Sequence, residues 1–378
     1  MKNDFCLLTL PLLLLFGCGH PNDSSSRVPS ELLPSPDQPD DPAAVEALEA
    51  AGATLRRNGD GNIIEISFKD SPADGAVLAH VKVLKHVSSL LLNDMNLSVP
   101  DAPDGQKPVS GLDHLTGWTS PITNLDLRGC PIGNDALAAI SGLKTLKALR
   151  FSGASGATTV DDGGMVHLSG LTNLKVLALD GLWVSEIGLE SLKLVKSLEE
   201  LYLKSTTISD DGLKLLADFP ALQKLRLAFN QISDDGLAHL SPLTQLTELD
   251  LSENALLTDA GLAHLSPLTS LKKLNLWRVA VSDAGVAHLA PLVHLEWLNL
   301  DNTQLSDAGL PSLANMKQLT FLHLGSTTVS DKGLPSLEGL TALKDLKVTR
   351  TAVTEAGVKA LQPKLPDTRI QLLYIEGQ

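Results

Sequence analysis

Six of the ten histidines fall at one recurring position: His80, His114, His167, His239, His264 and His288. Imidazole is a common metal ligand, so a ladder of metal sites is the first chemistry to weigh. Each of these histidines precedes an apolar residue of a short helical segment, and no second ligand type recurs beside them. Adjacent helices pack about 8–10 Å apart, which suits a copied boundary residue better than a shared ion. A second row is acidic: Asp210, Asp234, Asp259, Asp283, Asp307 and Asp331, each after Ser or Thr and before x-Gly. Calcium loops want the D-x-[DN]-x-[DN]-G spacing, which is absent. Ser or Thr with Asp just before an apolar run is a helix start, and the acid suits the positive end of the helix dipole. No G-x-S-x-G, H-E-x-x-H, P-loop or C-x-x-C is present, so no catalytic residue, resident metal or cofactor is assigned.

Both rows recur because a whole segment recurs. Its clearest copy is Leu222 to Gln245, LQKLRLAFNQISDDGLAHLSPLTQ, and neighbouring copies start at Leu198, Leu246, Leu271, Leu295 and Leu319. The steps are 24 residues, with one of 25. Further copies start at Ile63, Val87, Ile122, Leu146, Leu174 and Leu343, which makes twelve repeats. In L-x-x-L-x-L the last two leucines are two apart, so both point to one face of a strand. The helical part places Leu237, Leu240 and Leu243 on one stripe. One copy alone cannot bury its leucines, but stacked copies share a continuous core between a parallel sheet and a row of helices.

The wording L-x-x-L-x-L-x-x-[NT]-x-[IV]-[ST]-D-x-G-[LV] resembles the leucine-rich repeats of the cysteine-containing, ribonuclease-inhibitor-like class. That resemblance spans roughly residues 63–375 and implies an α/β solenoid: a curved parallel sheet on the concave face, short helices on the convex face. The chain departs from the class where cysteine is usual. Thr206, Asn230, Thr303, Thr327 and Thr351 take that slot, and Cys130 alone keeps the thiol. With no F-box-like stretch either, the ubiquitin-adaptor roles of that class are not carried over.

In such a fold the residues flanking the two inward leucines line the concave face. Down successive repeats they include Glu200, Tyr202, Lys204; Lys224, Arg226; Glu248, Asp250, Ser252; Lys273, Asn275, Trp277; Trp297, Asn299, Asp301; Phe321, His323. The chain has thirteen aromatic residues, and four of them sit here, where packing does not require them. Exposed aromatics and arginine anchor interfaces. Trp277, Trp297, Phe321 and His323 therefore form the expected ligand-binding surface, with Tyr202 and Arg226 at a secondary edge.

At the N-terminus, Lys2 precedes an apolar run from Phe5 to Phe16, too short to span a bilayer and suited to a signal peptide over 1–17. Leu15-Phe16-Gly17-Cys18 resembles the bacterial lipobox, which implies cleavage before Cys18 and a lipid on its thiol. Gly19 stands where aspartate marks inner-membrane retention, so the resemblance implies the outer membrane, with plain secretion as the alternative. Residues 18–41 are rich in Pro, Ser and Asp and read as a tether, roughly 25–30 Å across as a coil. A cap over 42–62 follows, built of an Asp41-capped helix and a hairpin, and the solenoid with its C-terminal cap fills 63–378. Residues 98–109 form a loop that leaves the second repeat.

Losing Lys2 and Asp4 leaves 29 basic against 43 acidic residues, still a net charge of −14. Such a balance is poorly suited to phosphate backbones, so nucleic acid is not an expected partner. The expectation is a non-catalytic module at the bacterial cell envelope that binds a protein on its concave sheet. Trp with Asn, Asp and His is also a sugar-binding palette, so a glycan is the alternative ligand. A structural spacer is the alternative role.

Overall fold

The computed structural model describes residues 39–98 and 110–373. They carry one 14-stranded sheet in strict chain order. The first strand is β1 (Thr54–Arg57), then β2 (Ile63–Ser67), β3 (Ser89–Leu91), β4 (Asn124–Asp126), β5 (Ala148–Arg150), β6 (Val176–Ala178) and β7 (Glu200–Tyr202). β8 (Lys224–Arg226), β9 (Glu248–Asp250), β10 (Lys273–Asn275), β11 (Trp297–Asn299), β12 (Phe321–His323), β13 (Asp345–Lys347) and β14 (Arg369–Gln371) follow. β1 pairs antiparallel with β2, and every later pairing is parallel, with the same repeat position facing itself. The leucines between the outward residues all point in. Leu227 and Leu251, neighbours in one ladder, are fully buried, and so are their counterparts along the sheet. Each such side chain is worth roughly 1.5–3 kcal/mol of burial.

The slot where Cys130 keeps a thiol has a plain job in the other repeats. Thr303 Oγ1 donates to Leu300 O at 2.8 Å and Thr327 Oγ1 to Leu324 O at 2.6 Å. Asn254 goes further: its Nδ2 donates to Leu227 O at 2.9 Å and Leu251 O at 2.8 Å, and its Oδ1 accepts from Asn230 N at 3.1 Å. Where a strand turns into a loop, a buried carbonyl needs a donor, and Thr, Asn or Cys each supplies one. The residue just after the outward triplet adopts a left-handed backbone in nearly every repeat, at Ser205 (φ 54°), Phe229 (φ 54°), Glu253 (φ 59°), Arg278 (φ 56°) and Asn302 (φ 57°) among others.

The helical side departs from the sequence expectation in two ways. The helices are about one turn long, as at Asp234–Ala238, and Leu240 and Leu243 are buried from the turns that follow. Where the sequence reads Leu-Pro-Ser-Leu, at Leu310–Leu313 and Leu334–Leu337, the turn tightens to a 3-10 helix because proline offers no N–H.

The aspartate row also does something other than serve its own helix. Ser and Thr are the N-caps, as expected, but the aspartate reaches into the next repeat. Asp210 accepts from Ser233 N (2.8 Å) and Ser233 Oγ (2.5 Å), and Asp234 from Thr258 N (2.8 Å) and Oγ1 (2.5 Å). Asp162, Asp259, Asp283, Asp307 and Asp331 do the same to Ser185, Ser282, Ser306, Ser330 and Thr354. This clamp explains the glycine of the motif. A Cβ on Gly309 or Gly333 would come within 2.5 Å of the preceding repeat's carboxylate, and one on Gly236 or Gly357 would fall on it.

At the N-terminal end, a helix at Pro42–Ala50, capped by Asp41, packs Ala44 and Leu48 onto the core beside the β1–β2 hairpin. At the other end β14 continues the parallel sheet, while Leu373 beyond it is 75% exposed. The last strand is confined to Arg369–Gln371, and residues 374–378 of the expected C-terminal cap lie outside the described residues. So do the expected signal peptide, Cys18, the tether to residue 38 and all but the first residue of the 98–109 loop. Among the described residues, no helix is long and apolar enough to cross a membrane.

Candidate binding surface

Strand register turns the outward residues into rows. The row at the first strand position reads Glu200, Lys224, Glu248, Lys273, Trp297, Phe321, Asp345, Arg369 from β7 to β14. Its charges alternate and pair. Lys224 Nζ lies 2.9 Å from Glu200 and 3.7 Å from Glu248, Lys273 lies 3.3 Å from Glu248, and Arg369 lies 2.7 Å from Asp345. Two strands break the alternation. There Trp297 and Phe321 stack with ring centroids 4.9 Å apart and planes 5° apart, the spacing that parallel strands impose. Both rings stay half-buried, since Leu298, Leu300, Leu322 and Leu324 fill the positions beneath.

Phe321 covers one face of Trp297. Its opposite side closes a shallow depression of about 290 Å3 that runs back across β10 to β7. Leu225 and Leu249 floor it, Lys224, Glu248, Asp250, Lys273 and Asn275 line it, and Tyr202 with Arg226 closes the far end. That end is already engaged. Arg226 lies over the Tyr202 ring at 5.2 Å and donates to Asp180 at 2.8 Å, and the Tyr202 hydroxyl donates to Glu200 at 2.7 Å. Burial and the Glu200 carboxylate push the Tyr202 phenol well above its usual range. Burial pushes the Glu200 carboxyl up, but the Tyr202 hydroxyl and Lys224 outweigh it and hold the group below the usual range.

On the β12 side, His323 meets Phe321 edge-on at 6.3 Å, and Lys347 Nζ sits 5.7 Å from the Phe321 centroid. Burial holds the His323 imidazole below its ordinary value, with Asp301 at 4.0 Å opposing and Lys347 adding to the shift. Trp277 belongs to a different group. Arg278 lies over its ring at 5.4 Å and pairs with Glu253 at 3.0 Å. Between the groups, Asn275 and Asn299 turn their amide oxygens to the backbone N–H groups of Trp277 (3.2 Å) and Asp301 (2.9 Å), and so offer NH2 donors to the open face.

The six residues singled out by sequence thus share one face but form three clusters. Trp297, Phe321 and His323 come together. Trp277 lies two residues past the end of β10 with Arg278 over its ring, and Tyr202 on β7 with Arg226 on β8 stands three to four strands away from Trp297. Two exposed aromatics were missed. Trp183 is 79% exposed at the position where other repeats carry Thr207, Gln231 or Gln304, and an aromatic in a polar slot was a legible signal. Phe229 is 58% exposed in the left-handed slot that Gly181 and Ser205 share. No three His, Cys, Asp or Glu side chains among the described residues gather as metal ligands would. Cys130 is a poor nucleophile: burial pushes its thiol up to about 12, and Sγ donates to Leu92 O at 2.9 Å.

A family model described as Leucine Rich repeat matches residues 120–141, 196–217, 220–241 and 243–266. These are leucine-rich repeats. An internalin (inlF) of Listeria monocytogenes shares 20% identity over 89% of this chain and 96% of its own, with a TM-score of 0.50. Internalin C2 of the same species shares 24% identity over 56% of this chain and 84% of its own, with a TM-score of 0.46. A plant peptide hormone receptor, RGFR1 in complex with RGF2, shares 17% identity over 78% of this chain and 45% of its own, with a TM-score of 0.46. No curated protein matches the chain in sequence. At 20% identity the likeness to the inlF structure is one of fold: the leucine-rich-repeat solenoid.

Proposed function

We propose that this leucine-rich-repeat chain is a non-catalytic binding module that holds a protein ligand on its concave sheet, centred on Trp297 and Phe321. One observation carries the reading. Along a row whose charges neutralise one another, the aromatic pair alone leaves apolar surface in water, at a place where the core has no use for it. The depression beside Trp297 offers a ligand an aromatic wall, a leucine floor and carboxylate, ammonium and amide groups for orientation. The lipobox-like Leu15–Cys18 supports display at the bacterial envelope through a lipid on Cys18, at the outer membrane.

The test is a crosslinking capture from envelope with the full-length protein, wild type beside Trp297→Ala. A protein retained by wild type and lost with the variant supports the module. Equal capture by both removes this face from binding, a carbohydrate recovered in its place selects the glycan reading, and no specific capture selects the spacer. Cys18→Ser should abolish labelling by a fatty-acid probe and release the protein or leave it uncleaved. Equal labelling of both forms would sink the anchor.

A further inference from the structure

From Asn134 to Thr354 one clamp position on the helical side joins each repeat to the next, with one exception. Asn134 exchanges two hydrogen bonds with Asp161, at 2.6 and 2.9 Å, and the seven aspartate clamps follow the same pattern. Between the repeats starting at Leu174 and Leu198 the clamp position holds Glu186, and the residue it would grip is Ser209. Among the described residues no hydrogen bond joins them, whereas Ser233, which like Ser209 makes no side-chain bond to its own helix, is held by Asp210. Glutamate is one methylene longer than aspartate, so its carboxylate overshoots a site built for a short side chain. The socket is otherwise intact. Gly212 is still glycine, yet a Cβ there would meet Glu186 only at 3.8 Å, with its own repeat's Ile208 nearer at 3.0 Å.

On the helical side only the exposed pair of Lys196 with Asp218, at 2.9 Å, adds a side-chain link across this joint among the described residues, whereas the sheet side is fully made. Val176, Leu177 and Ala178 pair with Glu200, Leu201 and Tyr202. Asp180 adds a latch, accepting from Lys204 N at 2.8 Å and from Arg226 at 2.8 Å. In a solenoid each repeat is held by its neighbours, so one weak interface divides the cooperative unit. We propose that the joint between the Leu174 and Leu198 repeats is a hinge. It pivots on β6 and β7, opens on the helical side, and separates an N-terminal block from a C-terminal block that carries the aromatic surface. The hinge stands on the clamp geometry and does not depend on what that surface binds.

Hydrogen exchange on the full chain tests it. Amides of the helix at Asp210–Lys214 should exchange about tenfold faster than those at Asp234–Ala238, the ratio that about 1.4 kcal/mol of lost coupling gives. Glu186→Asp should supply the missing clamp and bring the two helices level. Asp234→Ala removes an intact clamp and should raise exchange at Asp259–Leu262 by a similar factor. Equal exchange of the first two helices in the wild-type protein would overturn the hinge. So would an Asp234→Ala protein whose next helix exchanges as before, because the clamp would then not be what couples the repeats.

Discussion

The two sides of this solenoid are written by different rules. On the helical side the same groups recur at the same place: a Ser or Thr, a carboxylate reaching forward, a glycine that makes room for it. On the sheet side the inward leucines recur, but the outward residues change from strand to strand, from ion pairs to a stacked aromatic pair. What repeats is what stacking needs. What varies is free to serve a ligand, and substitutions in the two classes should therefore fail differently.

The largest expected effect is on the repeated side of that divide. Leu227→Ala empties a fully buried site in the ladder and should cost about 2–5 kcal/mol in a denaturant series. A neutral result would mean that the inward ladder is not the core. Next comes the varied class. Trp297→Ala should weaken ligand binding by about 2 kcal/mol or more. Because Trp297 stacks on Phe321, it should also lower stability by roughly 0.5–1.5 kcal/mol. A variant that unfolds while retaining its ligand would move Trp297 to the structural class.

How much of this could be read beforehand follows the same divide. The period, the strands and the inward leucines are legible because they obey a spacing of two within a spacing of 24. Register then places Trp297 beside Phe321 without a structure. The grouping of Trp277 with Arg278 was not legible, since it depends on side-chain direction at a strand end. The aspartates were assigned to their own helices because capping is a local pattern, whereas Asp210 and Ser233 are 23 residues apart. The trace of the true arrangement lay in the glycine, which helix capping does not require. The left-handed slot stayed hidden because Ser, Phe, Glu, Arg and Asn all occupy it.

That glycine gives a sharper comparison within the repeated class. Gly236→Ala places a Cβ on the Asp210 carboxylate and should break the clamp, costing about 1–3 kcal/mol in chemical denaturation. Gly212→Ala faces no carboxylate, and its gain in helix propensity of up to about 1 kcal/mol is set against the shift it demands of Ile208, 3.0 Å from the new Cβ, so it should cost clearly less than Gly236→Ala. Equal losses at both positions would mean that the glycine answers to the backbone rather than to the clamp.

The smallest expected effect concerns acid, at the last clamp. The Thr354 hydroxyl, with the Thr354 backbone N–H behind it, holds the Asp331 carboxyl below its ordinary value, while slight burial opposes them. A depressed folded-state value means that the clamp contributes fully above the ordinary carboxylate pKa of about 3.9, and that its contribution is lost as pH falls through the lower folded value. The group is solvent-exposed, so the effect is local. Its expected sign is a loosening of the helix at Glu355–Leu361, seen as faster exchange of the Gly357 and Val358 amides once acidification passes that range. Asp331→Asn, which cannot titrate, should show a flat dependence over the same interval. If wild type and variant loosen in parallel, acid is acting elsewhere in the last repeat, and the clamp between Asp331 and Thr354 does not hold the C-terminal helix.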